Sequence, residues 1–280
     1  MGQNKRVDSR ETGLEIGLLL GRFFQNSEDL HYGYWHDGLE IEFSNFARAQ
    51  QHHSEIIISN IPDKIKTVLD VGAGAGGLAK RLLDNGYEVD CVSPSEFLSN
   101  KLSEKLGERS LIYRCKFEEL ETDKKYDLVL FSESFQYINM EKGLNKTLSL
   151  LEDNKHLLIC AFFRTDAEGK NPLQAGHKLS EFYEKIGNSP FENLKDIDIT
   201  RETAPTIQIL DEFLTDCLLP ITRLGSKYLN GNFPLLMKIV NWKYTEKLNK
   251  IKKNYLSGQM NVDAYLKYEN YRLLLYRKTV

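Results

Sequence analysis

The chain has 280 residues, of which 41% are hydrophobic and 28% are charged, and its formal net charge is −3. This is the composition of an ordinary globular protein, long enough for one large α/β domain with an additional segment. The negative balance excludes a typical nucleic-acid-binding protein, because such proteins carry a basic excess that pairs with phosphates.

The sequence of the N-terminal part predicts two helices, at residues 12–26 and 39–59. They are separated by the aromatic stretch LHYGYWHDG. The rings of this stretch either pack on the core or form a flap over a ligand. His52 and His53 are adjacent and would face different directions on a helix, so we interpret them as structural residues and expect no metal site. The apolar patch at 16–20 is too short to span a membrane.

From residue 66 the pattern alternates between strands and helices. Candidate strands lie at 67–71, 88–93, 111–115, 126–132, 156–163 and 194–200, with a final strand at 271–277. Alternating units of this kind predict a mostly parallel sheet with helices on both faces, and ligands then bind at the carboxyl ends of the strands. The four cysteines are scattered without CxxC spacing, which indicates free thiols and a reducing, cytoplasmic location.

The first of these strands runs into a glycine-rich turn, TVLDVGAGAGGL at residues 67–78. Glycine lets the backbone N–H groups approach a cofactor closely. The turn alone fits NAD, a nucleotide or another cofactor. No acidic residue for a ribose follows on the binding edge at the usual spacing of about 20 residues, because strand alternation directs Asp90 away from that edge, and this disfavours NAD.

The order DVGAGAGGL, CVSPSEFL, CKFEEL and YDLVLFSESFQYI, with HYGYW before it and DITRETAPT after it, resembles the class I S-adenosylmethionine-dependent methyltransferases. The similarity is to bacterial small-molecule members, a group that includes ubiquinone, tocopherol and sugar O-methyltransferases and cyclopropane synthases. It implies a Rossmann-like α/β fold, with a seven-stranded, mostly parallel sheet and one antiparallel edge hairpin.

The resemblance also implies S-adenosyl-L-methionine as the cofactor and a set of residues that contact it. The turn would hold the amino-acid part of the cofactor, Ser93 would replace the usual acidic ribose ligand, and Lys116 would stand where an adenine-binding Asp is common. Because lysine cannot accept a hydrogen bond, we expect its side chain to point away and the N–H of Phe117 to bind adenine. The expected cofactor contacts are Tyr32, Tyr34, Trp35, Asp70, Gly72, Ala73, Gly74, Ser93, Pro94, Ser95, Lys116, Phe117, Ser132 and Tyr137.

The catalytic base of the related sugar O-methyltransferases has no counterpart here. The remaining candidates for catalysis are His177, Tyr137 and His31. Histidine has the intrinsic pKa of a base, whereas Tyr137 would orient the acceptor. A structural role for each histidine stays open.

These observations divide the chain into an N-terminal helical cap (1–60), a cofactor-binding core (61–203 and 270–280) and a helical substrate lid (204–269). The lid has an amphipathic stretch with a lysine-rich face, which either is solvated or docks an acidic carrier protein or a membrane. Its aromatic residues favour an apolar acceptor.

We therefore expect methyl transfer to a small, mostly apolar acceptor in natural-product, quinone or lipid-like biosynthesis, with O-methylation favoured slightly over C-methylation. The acceptor could be carrier-bound, and the protein a monomer or homodimer without a membrane span. The alternatives are N-methylation of a small amine and a non-catalytic cofactor-binding protein of the same fold.

Overall fold

The computed structural model describes residues 9–36, 38–169, 171–173, 176–255 and 261–279, without the side chains of 9–11 and 247–255. Its helices are α1 (Ser9–Gln25), α2 (Phe46–Ser59), α3 (Gly77–Asp84), α4 (Glu96–Leu106), α5 (Met140–Leu150), α6 (Leu179–Gly187), α7 (Thr200–Glu212), α8 (Leu219–Asn232), α9 (Pro234–Tyr255) and α10 (Val262–Tyr268). A π-helical segment, Phe213–Leu218, joins α7 to α8.

One sheet of seven strands forms the centre, in the order β3-β2-β1-β4-β5-β7-β6. The strands are β1 (Thr67–Val71), β2 (Glu88–Val92), β3 (Ile112–Tyr113), β4 (Tyr126–Ser132), β5 (Leu151–Arg164), β6 (Phe191–Asp198) and β7 (Glu269–Lys278). The first five pair in parallel, and β7 pairs antiparallel with both β5 and β6. The predicted mostly parallel sheet with an antiparallel edge hairpin is confirmed.

The core lies on both faces of this sheet, which is why β1 and β4 are nearly continuous runs of apolar residues. On one face β4 and β5 pack against α5 and α6 through residues such as Leu144 and Phe182. On the other face β1 and β2 pack against α2, α3 and α4. The ion pair between Arg81 of α3 and Asp29, at 2.8 Å, fixes the N-terminal segment to this second layer.

Two boundaries differ from the expected ones. The predicted helix at 39–59 begins only at Phe46, after a 3-10 turn at Phe43–Asn45. The predicted lid boundary at residue 204 falls inside α7, whose first half is buried, with Ala204 and Ile207 packed on Tyr265 of α10. After β5 the next helix, α6, begins at Leu179, and residues 174 and 175 lie outside the described residues.

Thr206 of α7 holds the aromatic stretch in place. Its Oγ1 accepts hydrogen bonds from the N–H of Gly33 at 3.0 Å and from Nε1 of Trp35 at 3.2 Å, both in buried surroundings. We expect Thr206→Val to lower the free energy of unfolding by about 2–4 kcal/mol, because two buried donors lose their acceptor. Thr206→Ser, which keeps the hydroxyl, should cost less than half as much; equal losses in urea unfolding would contradict this role.

Candidate functional site

The turn after β1 has a backbone that only glycine adopts readily. Gly72, Gly74 and Gly76 have positive φ angles of 77°, 55° and 85°. These values lie in the left-handed region, where a Cβ atom is disfavoured. The N–H of Gly76 closes the turn on the carbonyl of Ala73 at 2.9 Å, and α3 begins at the next residue.

Two of these glycines have different surroundings. A Cβ added at Gly72 would lie 2.4 Å from Cβ of Ser134, and its N–H already donates to the carbonyl of Val92 at 2.8 Å. A Cβ added at Gly74 would meet no atom within 4 Å. The turn therefore packs through Gly72 on residues Ser132–Tyr137, which we call the lip of β4. Gly74 instead borders open space at the carboxyl edge of the sheet, where a ligand can approach the backbone.

Behind the turn lie two buried oxygen atoms without hydrogen-bond partners. They are Oδ2 of Asp70, at the end of β1, and Oγ of Ser132, at the end of the neighbouring strand β4. Burial raises the pKa of Asp70 to about 7. Buried polar atoms are normally paired, so these acceptors fit a ligand that brings a cationic donor, such as the ammonium group of an amino acid.

The ends of β2 and β3 form the next part of the same edge. Ser93 is buried, Pro94 is exposed, and Oγ of Ser95 accepts from the N–H of Leu98 at 3.2 Å, as the N-cap of α4. The side chain of Lys116 is exposed and lies 3.5 Å from Glu119. Phe117 is buried edge-on against Phe131. The Lys116 side chain thus lies on the surface.

The aromatic stretch packs largely inside the protein. Trp35 is buried with Ala49 and Ile209, so it has the geometry of a core residue. The ring of Tyr32 lies about 6 Å from those of Phe162, Tyr265 and Tyr271. The ring of Tyr34 is partly exposed and lies 6.3 Å from that of His36. Of the three proposed ring contacts, Tyr32 is the one that reaches the lip of β4.

Glu133, which follows β4, is the centre of a polar network that sequence reasoning did not assign. Its Oε1 accepts from the N–H of Tyr32 at 2.6 Å and from the hydroxyl of Tyr271 at 2.8 Å. The same hydroxyl lies 2.7 Å from Nε2 of His53. Burial raises the pKa of Glu133, although His31 and the two donors oppose that shift. The residue has φ 51°, an unusual backbone for glutamate, which directs its side chain across the sheet edge.

The three sequence-derived catalytic candidates occupy different environments. Nε2 of His177 is 2.9 Å from the carbonyl of Ile138, so this nitrogen donates to the backbone. Nδ1 of His31 is 2.9 Å from the carbonyl of Tyr32, and its Nε2 lies 3.4 Å from Oγ of Ser54. Tyr137 is 60% exposed at the end of the lip. His177 thus borders the lip of β4 and Tyr137 ends it, whereas His31, within the aromatic stretch, stacks on His53.

Among the residues that the structure describes, no three His, Cys, Asp or Glu side chains are placed to share a metal ion. His53 is buried, and burial holds its pKa well below the usual value. The structural role expected for this residue agrees with its bond to Tyr271.

Comparison with known proteins identifies the domain. Residues 69–157 match the model of a family described as "Methyltransferase domain". A malonyl-acyl-carrier-protein O-methyltransferase of Anoxybacillus flavithermus is 26% identical over 125 residues, 43% of this chain and 48% of that enzyme. An uncharacterized methyltransferase of a Geobacillus species is 28% identical over 167 residues, 58% of this chain and 74% of the relative. The chain thus spans about half the length of the first of these relatives.

Solved structures agree on the fold. The geranyl diphosphate C-methyltransferase of Streptomyces coelicolor, solved with S-adenosyl-L-homocysteine, superposes with a TM-score of 0.68 at 12% identity, over 99% of this chain and all of that one. The cyclase SpnF superposes with a TM-score of 0.65 at 16% identity, over 98% of both chains. Residues 69–157 therefore match a methyltransferase domain, and the chain has the same fold as solved methyltransferases such as the Streptomyces enzyme.

Proposed function

We propose that the protein transfers a methyl group from S-adenosyl-L-methionine to a small, mostly apolar acceptor, with oxygen acceptors favoured slightly over carbon. The observation that carries the proposal is the pair of unpartnered buried acceptors, on Asp70 and Ser132, beside a glycine turn that is open at Gly74. An amino-acid ligand satisfies both features, because its ammonium group needs buried acceptors and its carboxylate needs backbone donors.

In this proposal Asp70 and Ser132 hold the ammonium group, and the N–H groups of the turn hold the carboxylate. Ser93 and Ser95 serve the ribose and the backbone of Phe117 serves the adenine. When bound, S-adenosyl-L-methionine supplies an activated methyl group on a sulfonium. The chain must then exclude water and align the acceptor. The lip from Ser132 to Tyr137 and the ring of Tyr32 border the space where this alignment would occur.

The carboxylate of Glu133 gives this lip a group that can receive a proton. It is partly exposed, and burial raises its pKa, which makes the ionised carboxylate a stronger base than that of an ordinary glutamate. We therefore add Glu133 to His177 and Tyr137 as a candidate for deprotonating a hydroxyl or an acidic C–H group. A small amine, the second candidate acceptor, would need no such base once it is neutral.

The compartment we propose is the cytoplasm, where the free thiols of Cys91, Cys115, Cys160 and Cys217 would stay reduced. None of the described helices is both long and apolar enough to cross a membrane. Several relatives carry methyltransferase names, and two of them are named for malonyl-acyl carrier protein. A carrier-bound acceptor is therefore compatible with the proposal.

Calorimetry with S-adenosyl-L-homocysteine, followed by methyl-transfer assays on phenols, enols and amines, tests the proposed function. We expect saturable binding and turnover with an oxygen or carbon acceptor. Turnover only with amines would favour N-methylation, and binding without turnover on any acceptor would favour the non-catalytic alternative. An absence of binding at millimolar ligand would contradict the cofactor assignment itself.

The affinity for the cofactor should depend on pH through Asp70. In the free protein its pKa is about 7, so it is half protonated at neutral pH, and the ammonium group requires the ionised form. Affinity should fall about tenfold to fiftyfold from about pH 7 to about pH 5, with proton release on binding at neutral pH. Calorimetry in two buffers with different ionisation enthalpies measures that release. Asp70→Asn should bind more weakly and lose the pH dependence; a retained dependence would assign it to another group.

A further inference from the structure

The segment 219–246, comprising α8 and the first part of α9, is the least buried region of the fold that the structure describes. No residue from 219 to 246 is buried. Yet the segment presents large apolar side chains, including Leu224, Tyr228 and Phe233. Monomeric soluble proteins rarely expose contiguous apolar surface of this kind without using it. We call residues 219–246 the α8–α9 surface.

The apolar residues of α9 form a ridge along one side of the helix. Leu235, Ile239 and Trp242, at positions i, i+4 and i+7, are 79%, 60% and 84% exposed. Residues with this spacing share one face of a helix. Met237 and Val240, which are partly buried, fall on the opposite side. The ridge therefore points away from the rest of the protein, and nothing in the described chain covers it.

Lysine residues flank the ridge on both sides. Helical periodicity places Lys238 on one side and Lys243 on the other. The α8–α9 surface carries four cationic residues, Arg223, Lys227, Lys238 and Lys243, against one acidic residue, Glu246, although the whole chain has a net charge of −3. The remainder of α9 adds Lys247, Lys250, Lys252 and Lys253 to the sequence. Basic charge is thus concentrated where the apolar ridge is exposed.

From this arrangement we propose that the α8–α9 surface docks on an anionic lipid bilayer, with the ridge of α9 inserted at the level of the headgroups. An apolar ridge with Trp at its centre and flanking lysines is the pattern of helices that lie in the membrane interface, where the lysine heads reach the phosphates. Each cation near an anionic surface adds to the attraction.

Two other occupants fit the surface less well. A second copy of the chain would bring two surfaces of the same positive sign together, which opposes pairing. An acidic carrier protein would be recognised through ion pairs, but Trp242 and Leu235 on this surface are apolar and 84% and 79% exposed, and the cations lie beside them. The bilayer satisfies both the apolar ridge and the flanking charges.

The docking surface extends the proposed function without depending on it. The glycine turn and the lip of β4 lie on the sheet, whereas the α8–α9 surface is built from helices that follow α7. Variants of the surface should therefore bind S-adenosyl-L-homocysteine with unchanged affinity in the absence of lipid. A loss of cofactor binding in such a variant would indicate a damaged fold rather than a failure of the docking proposal.

Vesicle flotation with the full-length protein tests the proposal. We expect binding to vesicles of phosphatidylcholine with phosphatidylglycerol, at least about tenfold weaker binding to phosphatidylcholine alone, and a loss of binding at high salt. Trp242 should shift its fluorescence to shorter wavelength on binding. The double variant Lys238→Glu, Lys243→Glu and the single variant Trp242→Ser should each weaken binding at least about tenfold.

Matched controls lie elsewhere on the surface. Lys142→Glu on α5 and Leu266→Ser on α10 change an exposed lysine and an exposed apolar side chain and should leave vesicle binding unchanged. Equal binding to both vesicle types, or no binding to either, would overturn the proposal. Light scattering provides a further check: a dimer that Trp242→Ser dissociates would assign the ridge to a second copy and also overturn it.

Discussion

Replacing Gly72 by alanine should lower the free energy of unfolding by about 2–6 kcal/mol. An L-residue at φ 77° costs about 1–3 kcal/mol. The new Cβ would also lie 2.4 Å from Cβ of Ser134, and relief of such a contact costs about 1–3 kcal/mol more. Urea unfolding followed by circular dichroism measures the change.

Gly74→Ala is the matched comparison in the same turn. It has a similar backbone cost, at φ 55°, but its Cβ meets no protein atom within 4 Å. We therefore expect a smaller loss of stability, about 1–2 kcal/mol, together with weaker cofactor binding, since the methyl group projects into the open space beside the turn. If Gly74→Ala were the less stable variant, the distinction between the packed glycine and the open glycine would be wrong.

A second-site change separates the two costs at Gly72. In Gly72→Ala combined with Ser134→Gly, the collision is removed and only the backbone cost remains. Ser134→Gly alone also loses the hydrogen bond from its hydroxyl to the carbonyl of Val71. A double-mutant cycle corrects for that loss. Coupling of at least about 1 kcal/mol is expected, and strict additivity would show that the two residues do not compete for space.

Glu133→Gln should reduce kcat by about 10²-fold to 10⁴-fold while the dissociation constant of the cofactor changes little. Glutamine keeps an oxygen that accepts from the Tyr32 N–H and the Tyr271 hydroxyl, so the packing survives, but it cannot take up a proton. Stopped assays at saturating acceptor, with calorimetry for the cofactor, measure the two quantities.

The pH profile distinguishes a base from a structural residue. Because burial raises the pKa of Glu133, activity should fall as the pH decreases through a value above that of an ordinary glutamate. Tyr271→Phe removes a donor to the carboxylate, which raises this pKa further and moves the acidic limb to higher pH. Retention of more than half of the activity in Glu133→Gln would return the role to His177 or Tyr137, and His177→Ala is then the deciding variant.

The buried strands could be read from the sequence because burial on both faces leaves little choice of residue. The predicted β4 at 126–132 agrees with the structure at both ends, and β1 does as well. The strand predicted at 111–115 is only Ile112–Tyr113, since at the edge of the sheet neither side chain is fully buried. Edge elements carry a weak hydrophobic signal, and their limits depend on neighbours that the local sequence does not reveal.

The site was predictable to the extent that it is local. The glycine turn and Asp70 form one stretch of chain, and their position at the strand edge follows from the β–α alternation. The Glu133 network was not predictable in this way, because it joins Tyr32, His53 and Tyr271 from distant parts of the sequence. Trp35 lies beside Tyr32 and Tyr34 in the sequence, and we expected it to contact the cofactor with them. In the structure it is a core residue that donates a hydrogen bond to Thr206, 171 positions away.

The position of β7 between β5 and β6 has a consequence for how the protein is made on the ribosome. β6 pairs only with β7 within the sheet, and β7 is the last of the seven strands in chain order. During synthesis the edge of β5 must therefore remain unpaired while α7 to α10 emerge. Its pairing with β7 spans a long stretch of sequence and is therefore slow. Tyr271, which donates to Glu133, arrives on the same strand, so the sheet and the Glu133 network are completed in one late step.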